Sequence, residues 1–171
     1  PPPDPLAAHA TALADKIAVI DDRPDGTVVR WTFAELNAQC NRLADALATL
    51  GVRRGERVVW CGQNSPGVVR MVHAARKLGA VAVPLNYRLT AEEAQYVVDD
   101  SDAVLAYVDA EMAPLFREIR PRIPKVREVL VYGGAPLDGQ RDVEPLVAAA
   151  TDAEPPPAPP GTVTPQAMIY T

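Results

Sequence analysis

The chain has 171 residues, 48% of them hydrophobic and 23% charged, with a formal net charge of −5. That leaves room for one ordinary domain with a core, and the composition excludes a disordered tail. The acidic balance argues against a nucleic-acid partner, and no uncharged apolar run approaches the roughly 18 residues of a membrane span.

The opening Pro1-Pro2-Pro3-Asp4-Pro5 has neither the basic flank nor the apolar core of a signal peptide. Residues 6–14 suit a short helix. Residues 16–20 and 27–31 read as strands around an Asp25-Gly26 turn, which predicts a hairpin. Thr32-Phe33-Ala34-Glu35 is a capping box: the threonine oxygen can accept from an early helical N–H while the glutamate reaches back. Phe33, Leu36, Cys40, Leu43, Leu47 and Leu50 then recur at spacings of three and four, with Glu35, Gln39, Arg42 and Asp45 on the other side. This predicts an amphipathic helix ending at a left-handed Gly51.

Short apolar runs follow at 57–61, 81–85, 103–108 and 128–132, with helices between them. Ser65-Pro66 opens one helix, predicted to turn Val68, Val69, Val72, Ala75 and Leu78 inward and to close at Gly79. Thr90-Ala91-Glu92-Glu93 is a second capping box, followed by a stripe of Ala94, Val97 and Val98. Met112, Leu115, Phe116 and Ile119 line a third helix. This order implies an α/β fold, a largely parallel sheet flanked by helices. Residues 143–150 suit a short helix.

Eighteen prolines are about twice the usual share of roughly 5%. Ten of them fall in 1–5 and 155–165, so both segments are expected to be extended. The expected division is therefore an α/β subdomain over 1–150, a Pro-rich connection over 151–166 and a strand over 167–171. A chain that starts without methionine and stops on an apolar strand is expected to be a piece of something longer.

Each candidate for chemistry has a plainer reading. Gly62-Gln63-Asn64-Ser65-Pro66-Gly67 follows a strand and opens a helix, where N–H groups can face an anion. It matches neither GxGxxG nor a Walker loop, and a βα turn capped by Ser65 is the better reading. His9 and His73 have no motif partners and are expected at the surface. The acidic pairs Asp21-Asp22, Glu92-Glu93 and Asp99-Asp100 sit at turns and helix ends without supporting metal ligands. Arg117, Arg120, Arg122, Lys125 and Arg127 could favour an anionic membrane surface or a CoA phosphate, but a solvated face is favoured. Cys40 and Cys61 lack metal or disulfide spacing and are expected as buried thiols in a reducing cytosol. No metal site and no catalytic residue is assembled by these motifs.

Three segments carry a resemblance. Trp31-Thr32-Phe33-Ala34-Glu35-Leu36 resembles the (L/W)TYxEL segment near the front of the adenylate-forming, AMP-binding enzymes. Arg76-Lys77-Leu78-Gly79-Ala80-Val81-Ala82-Val83-Pro84-Leu85-Asn86 resembles their (K/R)xGAxxVPLN segment, and Tyr87-Arg88-Leu89-Thr90 continues as in bacterial acyl-CoA synthetases. Ala167-Met168-Ile169-Tyr170-Thr171 resembles the strand entering their phosphate loop, YTSGTTGxPKG. The resemblance covers residues 6–171.

It implies the N-terminal part of the large domain of a fatty-acid–CoA ligase. Such an enzyme joins a carboxylic acid to ATP as an acyl-adenylate and then transfers the acyl group to CoA, with Mg²⁺ offsetting phosphate charge. Of the family's nucleotide-binding residues only Thr171, first of the loop, falls within this chain. The remaining motifs lie beyond it, so the chain alone is expected to be inactive and to hold no cofactor. With the buried thiols a cytoplasmic location is expected, and peripheral membrane contact and a homodimer are left open. The alternatives are an acyl-AMP ligase or adenylation domain loading a carrier protein, and a non-catalytic α/β interaction module.

Overall fold

The computed structural model describes residues 4–159, 162 and 165–171. Helix α1 (Pro5–Ala12) is capped by Asp4, whose carboxylate accepts from the N–H groups of Leu6 and Ala7. The expected hairpin is formed by β1 (Ile17–Asp22) and β2 (Val28–Thr32), paired antiparallel with Ile20 opposite Arg30. Helix α2 (Phe33–Thr49) begins with both arms of the capping box closed. The Glu35 N–H donates to Thr32 Oγ1 at 3.2 Å, and the Thr32 N–H donates to the Glu35 carboxylate at 2.8 Å. Gly51, at φ +83°, turns the chain away after the last helical turn.

The body follows as β3 (Arg57–Cys61), α3 (Pro66–Leu78), β4 (Val81–Leu85), α4 (Ala91–Asp100), β5 (Ala103–Asp109), α5 (Ala113–Ile119), β6 (Glu128–Tyr132), β7 (Arg141–Asp142) and α6 (Glu144–Ala149). The strands β4-β3-β5-β6-β7 lie in that order in one sheet, and every pairing is parallel. Strand alternation explains why their sequences are continuously apolar. Val58, Leu105 and Leu130 face one side, packing with Leu43 and Leu47 of α2 and Met71 of α3. Val59, Ala106 and Val129 face the other, packing with Val98 of α4 and with Phe116 and Ile119 of α5. Both faces are covered, so the charged residues of these strands stand at strand ends, at Arg57, Asp109 and Glu128, and on the short edge strand β7.

Four features differ from expectation. Helix α3 is rotated relative to its apolar count: Met71 and Ala74 are fully buried with Arg70 and Lys77, while Val72 is 38% exposed. His73, expected at the surface, is half-buried on that helix, whereas His9 is exposed and packs its ring on Phe33. Strand β7 was not anticipated, because two residues pairing with Leu130 and Val131 are too short to show a period. Residues 167–171 form a single bridge, Ala167 to Ala82, rather than a strand. Ala82 N–H donates to the Gln166 carbonyl at 3.1 Å and Met168 N–H to the Ala82 carbonyl at 3.0 Å. Beyond that bridge Ile169 is 71% exposed, and no described element covers the outer side of this edge.

After α6 the chain runs back across α2. The Thr151 N–H donates to the Asp45 carboxylate, and the Asn41 amide donates to the Asp152 carbonyl and to Glu154. Asn37 also donates to Glu154, at 2.6 Å. The polar side of α2 is thus covered by a polar strap.

Candidate functional site

In an open parallel sheet the loops at the carboxyl ends of the strands can converge on a ligand without disturbing the core. Two cavities lie at that end here. The larger, about 1070 Å³, opens beyond β3 and β4. Its walls are the loop after β3 (Gly62, Gln63, Asn64), the loop after β4 (Asn86, Tyr87, Leu89), one face of α4 (Glu92, Tyr96, Val97) and the last residues Ile169, Tyr170 and Thr171. The capping box of α4 fixes the second of these walls. Thr90 N–H donates to the Glu93 carboxylate at 2.8 Å, and Glu93 N–H donates to Thr90 Oγ1 at 3.3 Å. Those bonds from Thr90 hold the Glu93 carboxyl below its ordinary range.

Thr171 is exposed and lines this cleft. Its neighbour Tyr170 packs against the apolar cluster under α4, and its hydroxyl donates to the Asp100 carboxylate at 2.7 Å. Burial, with that hydrogen bond next, pushes the Tyr170 phenol up to about 12. Asp100 belongs to the acidic pair Asp99-Asp100. It is the last residue of α4, where the dipole disfavours an anion, and the last turn contains no basic residue.

The smaller cavity, about 570 Å³, lies beyond β3, β5 and β6 and is bordered by the β1–β2 hairpin. This is the point where the chain leaves β3 for neighbours on opposite sides, the default ligand crevice of such sheets. Its cations are already committed. Arg70, 4% exposed, donates to Glu144, to Tyr107 Oη at 3.1 Å and to Gln39 at 3.3 Å, and Arg23 pairs with Asp21 at 2.8 Å. The larger cleft is therefore the candidate site.

Between the two cavities runs the Gly62–Gly67 loop, and its glycines have a steric reason. A Cβ on Gly67 would stand 2.6 Å from Cδ2 of the Tyr132 ring, and one on Gly62 would collide with the Tyr132 hydroxyl. Tyr132 stacks on Tyr107 with ring centroids 4.6 Å apart, and burial pushes its phenol upward. Ser65 caps α3 through the Val68 N–H at 3.4 Å, as the βα-turn reading expected. The spacing of glycines five apart was visible in the sequence; the ring that fills it, 65 residues beyond Gly67, was not.

The other candidates sort simply. In the basic run, Lys125 is held by Asp102 at 2.8 Å and Asp99 at 3.3 Å, and Arg127 by Glu56 at 3.1 Å. Cys40 and Cys61 are fully buried free thiols, each pushed up to about 12 by burial. Burial, then the nearby Arg76 guanidinium, lowers the His73 imidazole. Among the described residues no three His, Cys, Asp or Glu side chains are grouped to hold a metal ion, and no helix is long and apolar enough to cross a membrane.

Residues 6–171 match the profile of the family described as AMP-binding enzyme. The chain belongs to that family. Among relatives, it is 40% identical over 124 residues to a 3-hydroxybenzoate–CoA ligase of Aromatoleum sp. (strain CIB), covering 72% of this chain and 23% of that protein. It is 38% identical over 126 residues to the long-chain-fatty-acid–CoA ligase FadD13 of Mycobacterium tuberculosis, covering 74% of this chain and 24% of that protein. Its fold superimposes on the inhibitor-bound N-terminal domain of FACL13 from Mycobacterium tuberculosis with a TM-score of 0.83 and 31% identity, over 97% of this chain and 39% of that one. The matched part thus spans about a quarter of these curated relatives. The N-terminal α/β architecture of adenylate-forming enzymes, expected from three short segments, is the architecture found.

Proposed function

We propose that this chain is the N-terminal portion of a cytoplasmic ATP-dependent acyl-CoA synthetase, an acid–thiol ligase whose first substrate class is fatty acids. The observation that carries the reading is family membership over 6–171 together with the course of the last residues, which bring Thr171 into the larger cleft. Free, fully buried cysteines suit a reducing compartment. The relatives named above act on an aromatic and a long-chain acid; the apolar wall of Leu85, Leu89, Val97 and Ile169 suits a hydrocarbon chain.

In the proposed reaction a carboxylate oxygen of the acid attacks the α-phosphorus of ATP. The new acyl–O–P bond forms as the bond to pyrophosphate breaks. The CoA thiol, giving up its proton, then attacks the acyl carbonyl, and AMP leaves with the electron pair of the broken C–O bond. The part assigned to this chain is positional. The Thr171 hydroxyl donates toward a phosphate oxygen as the first member of the phosphate loop. Mg²⁺ would offset charge on the triphosphate when bound; the described residues hold no group of three carboxylate, imidazole or thiol ligands, and no step is assigned to the ion. The division at 150 and 166 belongs to the same proposal, with the Pro-rich connection leading from the subdomain to the loop.

The test is ATP–pyrophosphate exchange by the longer protein that carries this chain, with saturated fatty acids set against hydroxybenzoates and CoA set against a pantetheinylated carrier protein. Exchange with fatty acids and release of acyl-CoA are expected, and residues 1–171 alone should show none. Faster exchange with the aromatic acids would overturn the fatty-acid class. Transfer to the carrier protein only would overturn CoA as acceptor, and no exchange with any acid would overturn the ligase.

A further inference from the structure

We infer that Asp100 is a positioning residue for nucleotide use, acting through Tyr170 to seat Thr171 at the cleft. This rests on the reading of Thr171 as the start of the phosphate loop. Asp100 itself lies outside every recognised motif and outside the lining of the cleft.

Three observations carry it. The Tyr170 hydroxyl donates to Asp100 Oδ2 at 2.7 Å, a short charge-assisted bond across 70 residues of sequence. Along 167–171, that bond, the single bridge at Ala167 and the packing of the Tyr170 ring on the cluster beneath α4 are the described attachments. Tyr170 therefore anchors the segment one residue before the proposed phosphate donor. Finally, α4 gains nothing locally from this carboxylate. Asp100 ends the helix at its negative pole, and its neighbour Asp99 is already offset by Lys125. A side chain kept for helix stability would be a cation or a neutral cap there. The position makes sense if its task is to receive the tyrosine.

The helix dipole separates this role from a structural one. Removing the Asp100 carboxylate should leave α4 as stable as before or slightly more so, while the anchor of the loop is lost. Tyr170→Phe removes the same bond by a single oxygen and keeps the ring packed. A pair acting through one hydrogen bond should also be non-additive.

The experiment uses the longer enzyme with Asp100→Ala, Tyr170→Phe and the double variant. It reads KM for ATP, KM for the acid and the thermal midpoint, and hydrogen exchange of the amides at 168–171. Each single variant is expected to raise KM for ATP by about three- to tenfold with the thermal midpoint unmoved, and Asp100→Ala, which lies outside the lining of the cleft, to leave KM for the acid unmoved. The double variant should be no worse than either single one, and amide exchange at 168–171 should quicken in all three. A KM for ATP within twofold of the parent in both single variants, additive losses, or losses that track a lower thermal midpoint would overturn the inference. If the parent shows no pyrophosphate exchange with any acid, the ligase reading fails. In that case unchanged amide exchange in the variants would dispose of the anchor as well, and quickened exchange would uphold it.

Discussion

The Lys77 ammonium lies 2.7 Å from the Glu154 carboxylate, joining the end of α3 to the strap that follows α6. Only 1% of the Lys77 side chain is exposed, and Asp4 stands on its other side at 3.2 Å. Both ends of the folded body are thereby tied to one buried cation. The strap held by Glu154 is the segment that leads toward the cleft.

Lys77→Met should destabilise the protein because it removes the cation between two carboxylates, of which Asp4 alone keeps another, Arg76. Losing one partner of a buried pair costs roughly 3–5 kcal/mol. Asp4 and Glu154 are partly exposed and can regain water, which reduces the expected loss to about 1–3 kcal/mol. Urea unfolding should show a lower midpoint with an unchanged slope, and Lys77→Arg should recover part of it. An unmoved midpoint in Lys77→Met would dismiss the pair as a stabilising contact.

Acid should loosen the same junction. Burial alone would raise the Asp4 carboxyl, but the Arg76 hydrogen bond, the Ala7 N–H and the charge of Lys77 outweigh it and hold the group at about 2 rather than 3.8. A carboxyl depressed in the folded state stabilises fully above its unfolded value and ceases to do so as pH falls through the folded one. The loss therefore falls between about pH 4 and pH 2, and with partial exposure it amounts to about 1 kcal/mol. Stability measured against pH for the parent and Asp4→Asn should converge across that window; parallel curves would show that Asp4 contributes nothing to it.

Gly67→Ala should be costly for a steric reason. The added carbon meets the Tyr132 ring at 2.6–2.7 Å, and the ring is held from behind by Tyr107. Overpacking of this kind costs about 1–3 kcal/mol. Combined with Tyr132→Leu, the substitution should cost far less than the sum of the two alone. Simple additivity in thermal unfolding would mean that the ring is not what excludes a side chain at position 67.

Neither thiol should be reactive while the fold is intact. Cys40 and Cys61 are fully buried, with pKa values pushed up to about 12, so little thiolate exists at pH 8. A maleimide should label both only at the rate of global opening, and both rapidly in concentrated denaturant. Fast labelling of Cys61 in the folded protein would mean that the end of β3 opens by itself.

Much of the fold was legible because its signals are local. The two capping boxes at Thr32 and Thr90, the apolar stripe Ala94–Val97–Val98 and the four buried strand runs each lie within a dozen residues, and each formed as read. The family was legible from three short segments in the right order, and the profile match covers the same residues. Where the reading failed, the cause was distant. Arg70 and Lys77 were not among the residues expected to turn inward on α3, yet both are buried with partners 74 and 77 residues away. Their spacing of seven on either side of Ala74 was a signal that they share a face with the core.

The sequence alone thus determined what depends on neighbours along the chain: where helices begin and end, which runs are strands, the α/β order and the family. The tertiary structure decided what depends on partners brought together from far apart. It buried two cations beside distant carboxylates, filled the gap between two glycines with Tyr132, laid a polar strap over α2 and tied Tyr170 to the wrong-signed end of α4. Helical and strand periods report the average polarity of a face. The fate of a single charge or hydroxyl is set by the desolvation it suffers and the partner it finds, and those partners lie outside any local window.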